Sequence, residues 1–153
     1  MSYIENNLMP GEKITYRAYL HWAVFLRPIG WLVIAILFFI GSGYIIGIGT
    51  IFVLIAIIDG IGSLITYKTS EFGVTNKRVL VKVGFIRRNS LEILLTKVEG
   101  IQVNQGIIGR ILGYGSIVIS GTGGSKDPLH KISAPLEFRK RSQEQVVAVQ
   151  ESK

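Results

Sequence analysis

The chain has 153 residues, 48% of them hydrophobic, and a formal net charge of +7 from 17 Lys+Arg against 10 Asp+Glu. That length admits one ordinary domain, or a small domain with a membrane anchor. No cysteine occurs, which excludes disulfides, thiolate metal sites and a cysteine nucleophile.

Met1 to Leu20 mixes polar and acidic positions, so it does not read as a secretory signal. Ser2 follows Met1, and with cysteine absent no lipidation signal is expected. "KITYRAYL" (Lys13–Leu20) alternates like a strand and is expected to join a sheet formed by later residues. Residues 1–27 thus form a short N-terminal segment.

Residues 28–67 are different in kind. From Pro28 to Tyr67 the only side chain charged at neutral pH is Asp59. A single helix over Ile29–Thr66 would reach about 57 Å, far beyond a hydrocarbon core of about 30 Å. Two helices fit, and the glycines of "GSGYIIGIG" mark the break. The turn is expected near Gly47–Gly49, with spans over Ile29–Ile46 and Thr50–Tyr67. "WLVIAILFFI" and "IFVLIAII" lack the polar face that a soluble helix needs. Arg27 before the first span and Lys68 after the second place both termini in the cytoplasm by the positive-inside rule. Asp59 stands near the middle of the second span, where a carboxylate is costly. Three readings stay open for it: a helix-packing or oligomer contact, a protonated or snorkelling carboxyl, and an ion path. Gly60 and Gly62 beside it offer small surfaces for helix packing.

After Lys68 the period changes to two. Residues 67–84, "YKTSEFGVTNKRVLVKVG", read as a β-hairpin with a basic tip. Thr69–Thr75 and Val79–Val83 are its strands, and "TNKR" (Thr75–Arg78) is its turn, with Asn76 suited to positive φ. "GFIRRNS" (Gly84–Ser90) is a second turn. Leu91–Leu95, Val98–Gln105 and Ser116–Gly121 follow as short strands, giving five after the apolar segment. "GIIGRILGYG" (Gly106–Gly115) matches no phosphate-loop pattern. It reads as one helical turn, Ile107–Leu112, with Ile107, Ile108, Ile111 and Leu112 packed on the sheet. Gly113 and Gly115 supply tight backbone on each side of Tyr114. Gly121–Pro128 is an exposed loop, and Pro135–Gln150 is the last helix, with Pro135 in its first turn. Residues 68–141 form the β domain, and 142–153 a polar tail or helix end.

The order of these features resembles a known family. "PGE" (Pro10–Glu12), the two-helix hairpin, "VTNKRVLVKVGFIRR" (Val74–Arg88) and "KVEGIQVNQGIIGRILGYGSIVISG" (Lys97–Gly121) together resemble the bacterial membrane-anchored PH-like family. The resemblance implies an α+β membrane protein. Its β domain would be a bent antiparallel barrel closed by a C-terminal helix. It implies no reaction and no automatic lipid site.

Enzymatic motifs are absent from the sequence. His21 and His130 are the only histidines, and they belong to no zinc or acid–base pattern. No catalytic residue, cofactor or metal is expected. Lys77, Arg78, Lys82, Arg87 and Arg88 fall on two neighbouring turns and the strand between them. They are read as facing anionic lipid headgroups, or else as topology signals only. Nucleic acid is not expected, because the aromatics of a stacking platform are missing. The expected function is a non-enzymatic interaction or assembly module at the cytoplasmic face of the bacterial membrane. The alternative is a subunit of an oligomeric assembly with a transport or envelope-stress role. A short strand count leaves a free edge, and with Gly60 and Gly62 it makes a homo-oligomer or a membrane-protein partner the expectation.

Overall fold

A computed structural model describes residues 3–40, 46–84, 89–122 and 128–151. The chain divides into two compact units, one of Met1–His21 with Thr69–Lys153, the other of Trp22–Lys68.

The first unit opens with a short helix, α1 (Tyr3–Asn6), and strand β1 (Ile14–Tyr19). After the second unit come β2 (Glu71–Thr75), β3 (Arg78–Val83) and β4 (Asn89–Leu94), which with β1 make a sheet in the order β1-β2-β3-β4. A 3-10 turn, Leu95–Lys97, leads to β5 (Val98–Asn104), helix α4 (Ile107–Leu112), β6 (Tyr114–Gly121) and β7 (Leu129–Ser133). These three strands form a second sheet in the order β5-β6-β7. Helix α5 (Pro135–Glu151) ends the described chain.

All pairings are antiparallel. The strand N-terminal to the apolar segment pairs directly with the first strand after it, Tyr19 opposite Glu71 and Ile14 opposite Thr75. Lys13–Leu20 therefore joins the later sheet as its alternation predicts. Along β6 every second residue is buried, among them Ile117 and Ile119, as period two requires. Phe72, Val74, Val79, Val81, Ile132 and Phe138 complete the core between the sheets and α5. The Tyr16 and Phe138 rings meet edge to face at 6.2 Å. The outer face of β2 is also covered, because Ile4 of α1 lies on Gly73, where a Cβ would come within 2.8 Å of its Cδ1.

Two expectations about this unit are corrected. Among the described residues the strands do not close into a barrel; β4 and β5 are separate edges, and one isolated bridge, Leu20 to Ile132, links the ends of the two sheets. A sixth strand follows the apolar segment, Leu129–Ser133. Its five residues interrupt the apolar alternation with His130 and Lys131, and the polar stretch before it hides its start.

The second unit holds a 3-10 turn, Trp22–Phe25, followed by α2 (Leu26–Ile40) and α3 (Ile46–Thr69). Two segments, Trp22–Ile40 and Gly47–Thr69, are long and apolar enough to cross a membrane. Their outward side chains are apolar, with Leu37, Ile40, Ile51 and Ile58 exposed. The pair packs through small residues, Ala35 and Ala56, both buried. The helix break is not at Gly47–Gly49. Both glycines lie inside α3, and the residues between the helices, 41–45, are outside those described. Gly49 serves close approach instead, since a Cβ there would meet the Phe39 ring at 3.2 Å and the Ala35 carbonyl oxygen at 3.4 Å.

Candidate functional site

Four surfaces carry the candidate residues: the basic turn, the acid of α3, the glycine-rich connection between β5 and β6, and the edge of the second sheet.

The turn "TNKR" binds the segment "PGE" with every residue it has. Thr75 Oγ1 donates to Glu12 Oε1 at 2.7 Å. The Asn76 side chain accepts from the Lys13 amide at 2.9 Å and donates to the Gly11 carbonyl at 3.3 Å. Lys77 Nζ donates to the Pro10 carbonyl at 2.9 Å. Arg78 reaches Glu12 through Nε at 3.0 Å and Nη2 at 3.1 Å, and also bonds Glu92 and the Asn7 carbonyl. Gly11 takes the left-handed φ of +75° that this close docking needs. Asn76 does not take positive φ, which occurs at only two non-glycine described residues, Lys131 and Ala134. Its side chain holds the turn by bridging to the N-terminal segment instead.

This geometry removes Arg78 from the lipid-facing set. The residue is only 6% exposed and its guanidinium is consumed by two carboxylates. Burial opposes ionisation of Glu12. Hydrogen bonds from Arg78, the Met9 amide and Thr75 outweigh it and hold the carboxyl below its ordinary range. The Arg78 guanidinium is held above its ordinary value, chiefly by the bond to Glu12. Lys77 sits at the Ile14–Thr75 end of the sheet, while the chain leaves for the second unit from the Tyr19–Glu71 end. Four residue steps along β2 separate those ends by about 13 Å. Lys82 lies opposite Glu71, with its Nζ 4.7 Å from the centre of the Tyr3 ring. Arg87 and Arg88 lie outside the described residues. The described basic residues therefore do not share one face.

Asp59 is paired, not isolated. Its Oδ2 accepts from Arg27 Nε at 3.1 Å and from Trp31 Nε1 at 3.0 Å. Arg27 and Trp31 are four residues apart on α2, so one helix face presents both donors. The acid is thus level with the first turns of α2, although it is central in the sequence of α3. Trp31 also stacks on Phe52, and Phe38 stacks on the same ring. Gly60 faces Pro28, whose Cβ would be 3.9 Å from an added methyl, whereas Gly62 has open space.

The connection between β5 and β6 corrects a further expectation. Ile107, Ile108 and Ile111 are not packed on the sheet; they are 84%, 62% and 77% exposed. The helix is fixed by its glycines instead. A Cβ on Gly109 would lie 2.6 Å from the Tyr114 carbonyl oxygen, and Gly113 ends the helix at φ +79°. Gly115 is crowded by Gln105, the Asn104 carbonyl and Pro135. The tight backbone expected around Tyr114 is therefore present, with Gly109 as an additional close contact. The exposed isoleucines were legible only as an absence, since Ile107–Leu112 has no polar face opposite its apolar one.

Between β5 and α5 runs an open groove of about 390 Å³, lined by Val98, Gly100, Ile101, Gln143, Val146 and Val147, with Glu99 at its side. Strand β5 is an edge of its sheet.

The two histidine side chains have separate surroundings. His21 is buried beside the Tyr114 ring at 5.3 Å. Burial lowers its pKa, against a hydrogen bond to the Leu112 backbone. His130 Nδ1 is 3.1 Å from Ser116 Oγ on the exposed side of the second sheet. Among the described residues no cluster of three or more His, Asp or Glu is placed to hold a metal.

Comparison with known proteins agrees with the motif reading. A family model described as "Bacterial PH domain" matches residues 24–152. No curated protein and no solved structure matches the chain. The family match runs from the turn before α2 through α5, which is most of the sequence. The chain belongs to the bacterial PH domain family.

Proposed function

We propose that this chain is a non-enzymatic interaction module held at the cytoplasmic face of the bacterial membrane by its two-helix hairpin. The observation that carries the reading is the β1–β2 pairing across the apolar segment. One folded unit receives both ends of the hairpin, so the hairpin crosses and returns. Arg27 and Lys68 flank it on the returning side, as cytoplasmic flanks are expected to. The partner surface is the groove between β5 and α5. A free strand edge beside an apolar groove accepts an extended peptide by adding it to the sheet, with side-chain pockets giving selectivity.

Single cysteines in this cysteine-free chain test both halves. Ser42→Cys, between the helices, should react with an impermeant maleimide on intact cells, while Glu144→Cys on α5 should not. The opposite pattern ends the topology. A photo-crosslinking side chain at Val147 should give adducts in cells that one at Lys77 does not. Equal adducts at the two positions remove the groove from the proposal. The paired state of Asp59 gives no support to a separate transport reading.

A further inference from the structure

We infer that α4 is a second membrane contact of the folded unit, with Ile107, Ile108 and Ile111 seated at the boundary of headgroups and acyl chains and Arg110 among the lipid phosphates.

Three observations carry this. First, the three isoleucines form one apolar face at spacings i, i+1 and i+4, and no described part of the chain covers it. Contiguous exposed apolar side chains on a folded unit mark an interaction surface. Second, the surface is at the end of the unit from which the hairpin departs. Leu112 of α4 hydrogen-bonds His21 through its backbone, and His21 is the last residue before Trp22 opens the apolar unit. The His21 amide also donates to the Lys131 carbonyl at 2.7 Å, and the Gly113 carbonyl accepts from Ala134 at 3.0 Å. These bonds fix α4 on the strand ends next to the chain's exit. Third, the charge suits a phosphate surface. Arg110 is exposed in the middle of α4, and no acidic residue occurs between Glu99 and Asp127. A short apolar face with a basic side chain beside it is the composition of an interfacial helix.

The glycines give the surface its rigidity. Gly109 lets α4 lie against the Tyr114 carbonyl, so the isoleucines are presented by a held helix and not by a loose loop. The basic tip at Lys77 has the opposite character, since it lies at the far end of β2 and is bound to the N-terminal segment.

The inference rests on the membrane-anchor reading, and spin labels separate the two. Single cysteines are introduced as Ile107→Cys, Lys77→Cys and Leu37→Cys, the last on the exposed side of α2. Each labelled full-length chain is reconstituted at one copy per nanodisc containing phosphatidylglycerol. Collision rates with oxygen and with a water-soluble nickel chelate report depth. The expected order of oxygen-to-nickel ratio is Leu37 highest, Ile107 intermediate and Lys77 lowest. A water-like ratio at Ile107 with a lipid-like ratio at Leu37 overturns the α4 contact and leaves the anchor intact. A water-like ratio at Leu37 overturns the anchor itself. A ratio at Ile107 that turns lipid-like only in nanodiscs holding two copies assigns the face to a second chain and overturns the lipid contact. Replacing Ile108 and Ile111 by Asn, with the label kept at 107, should lower the ratio at Ile107 toward that at Lys77 and leave Leu37 unchanged.

Discussion

Each unit contains an arginine–carboxylate pair that joins residues distant in its sequence, Arg78–Glu12 in one and Arg27–Asp59 in the other, and these two pairs are built on different principles. Arg78 and Glu12 have side chains 7% and 0% exposed; Glu12 also accepts from Thr75 and the Met9 amide, and Arg78 also donates to the Asn7 carbonyl and Glu92. Arg27 is 71% exposed, and its acid Asp59 has Trp31 as its other partner. A buried pair is retained because removing one member strands the other charge. An exposed pair joining two packed helices contributes much less, because an orphaned charge has other partners within reach. The folded unit therefore holds its N-terminal segment through a buried ion pair set among further hydrogen bonds, whereas the ion pair of the hairpin is largely exposed.

The largest expected effect is at the buried pair. Glu12→Ala should destabilise the folded unit by about 3–5 kcal/mol. Denaturation in detergent micelles, followed through amide exchange in β2 and β3, measures it. A loss below about 1 kcal/mol would erase the contrast with the hairpin. The pair also sets a pH limit. Glu12 has a folded pKa below its ordinary 4.5, so its contribution is fully present above the unfolded value and is lost as pH falls through the folded one. The wild type should lose stability on acidification from about pH 5 downward. The Glu12→Gln chain should start lower and fall less over that window.

Glycines extend the same contrast. In the folded unit Gly115 has three heavy atoms of other residues within 3.0 Å of a Cβ position, one of them a backbone oxygen. In the hairpin Gly62 has nothing within 4 Å. Gly115→Ala should cost about 1–3 kcal/mol through overpacking. Gly62→Ala should gain up to about 1 kcal/mol from helix propensity. Thermal unfolding of both variants in the same micelle decides the point. A loss of stability or of oligomer mass in Gly62→Ala would show that another helix packs there.

A smaller effect tests the exposed pair itself. A double-mutant cycle with Arg27→Leu and Asp59→Leu should give a coupling of about 0.6–1.7 kcal/mol, the range of polar contacts between membrane helices. The double variant should regain most of the stability lost in Asp59→Leu, since no unpaired arginine remains. A coupling as large as that expected at Arg78 and Glu12 would mean that Asp59 lies in a drier setting than its exposure indicates.

These contrasts show which parts of the molecule are written locally. The apolar hairpin, the period-two strands and the helix Pro135–Glu151 were legible because each depends on residues adjacent in sequence. The role of Arg78 was not, because its partner Glu12 is 66 positions away; a charge in a turn looks the same whether it faces solvent or a buried acid. The partners of Asp59 were hidden for the same reason, since Arg27 and Trp31 lie on another helix. Gly49 looked like a turn residue because local propensity cannot register Phe39. The isoleucines of α4 were assigned to a core by composition, yet Gly109 docks the helix on its other side. The β7 strand escaped because His130 and Lys131 interrupt the apolar alternation of its five residues.

The smallest expected effect lies at the start of α5. Ala134 has φ +47°, a left-handed conformation that a Cβ penalises by about 1–2 kcal/mol. The fold holds it there because its amide donates to the Gly113 carbonyl while its own carbonyl accepts from Glu137 and Phe138, both at 3.1 Å. The strained residue thus joins the end of α4 to the first turn of α5, whose Phe138 is fully buried. Ala134→Gly removes the strain and leaves the three backbone bonds in place. The glycine also adds freedom to the unfolded chain, which costs about 0.4–1 kcal/mol. The net gain should be about 0.5 kcal/mol, the difference between those terms. It should appear as a slightly higher midpoint for the folded unit with no change in the hairpin. Ala134→Val, with a branched side chain at the same φ, should move stability the other way. If the glycine variant is instead less stable than the wild type, the Ala134 conformation is relaxed and the junction between α4 and α5 is held by side-chain packing alone.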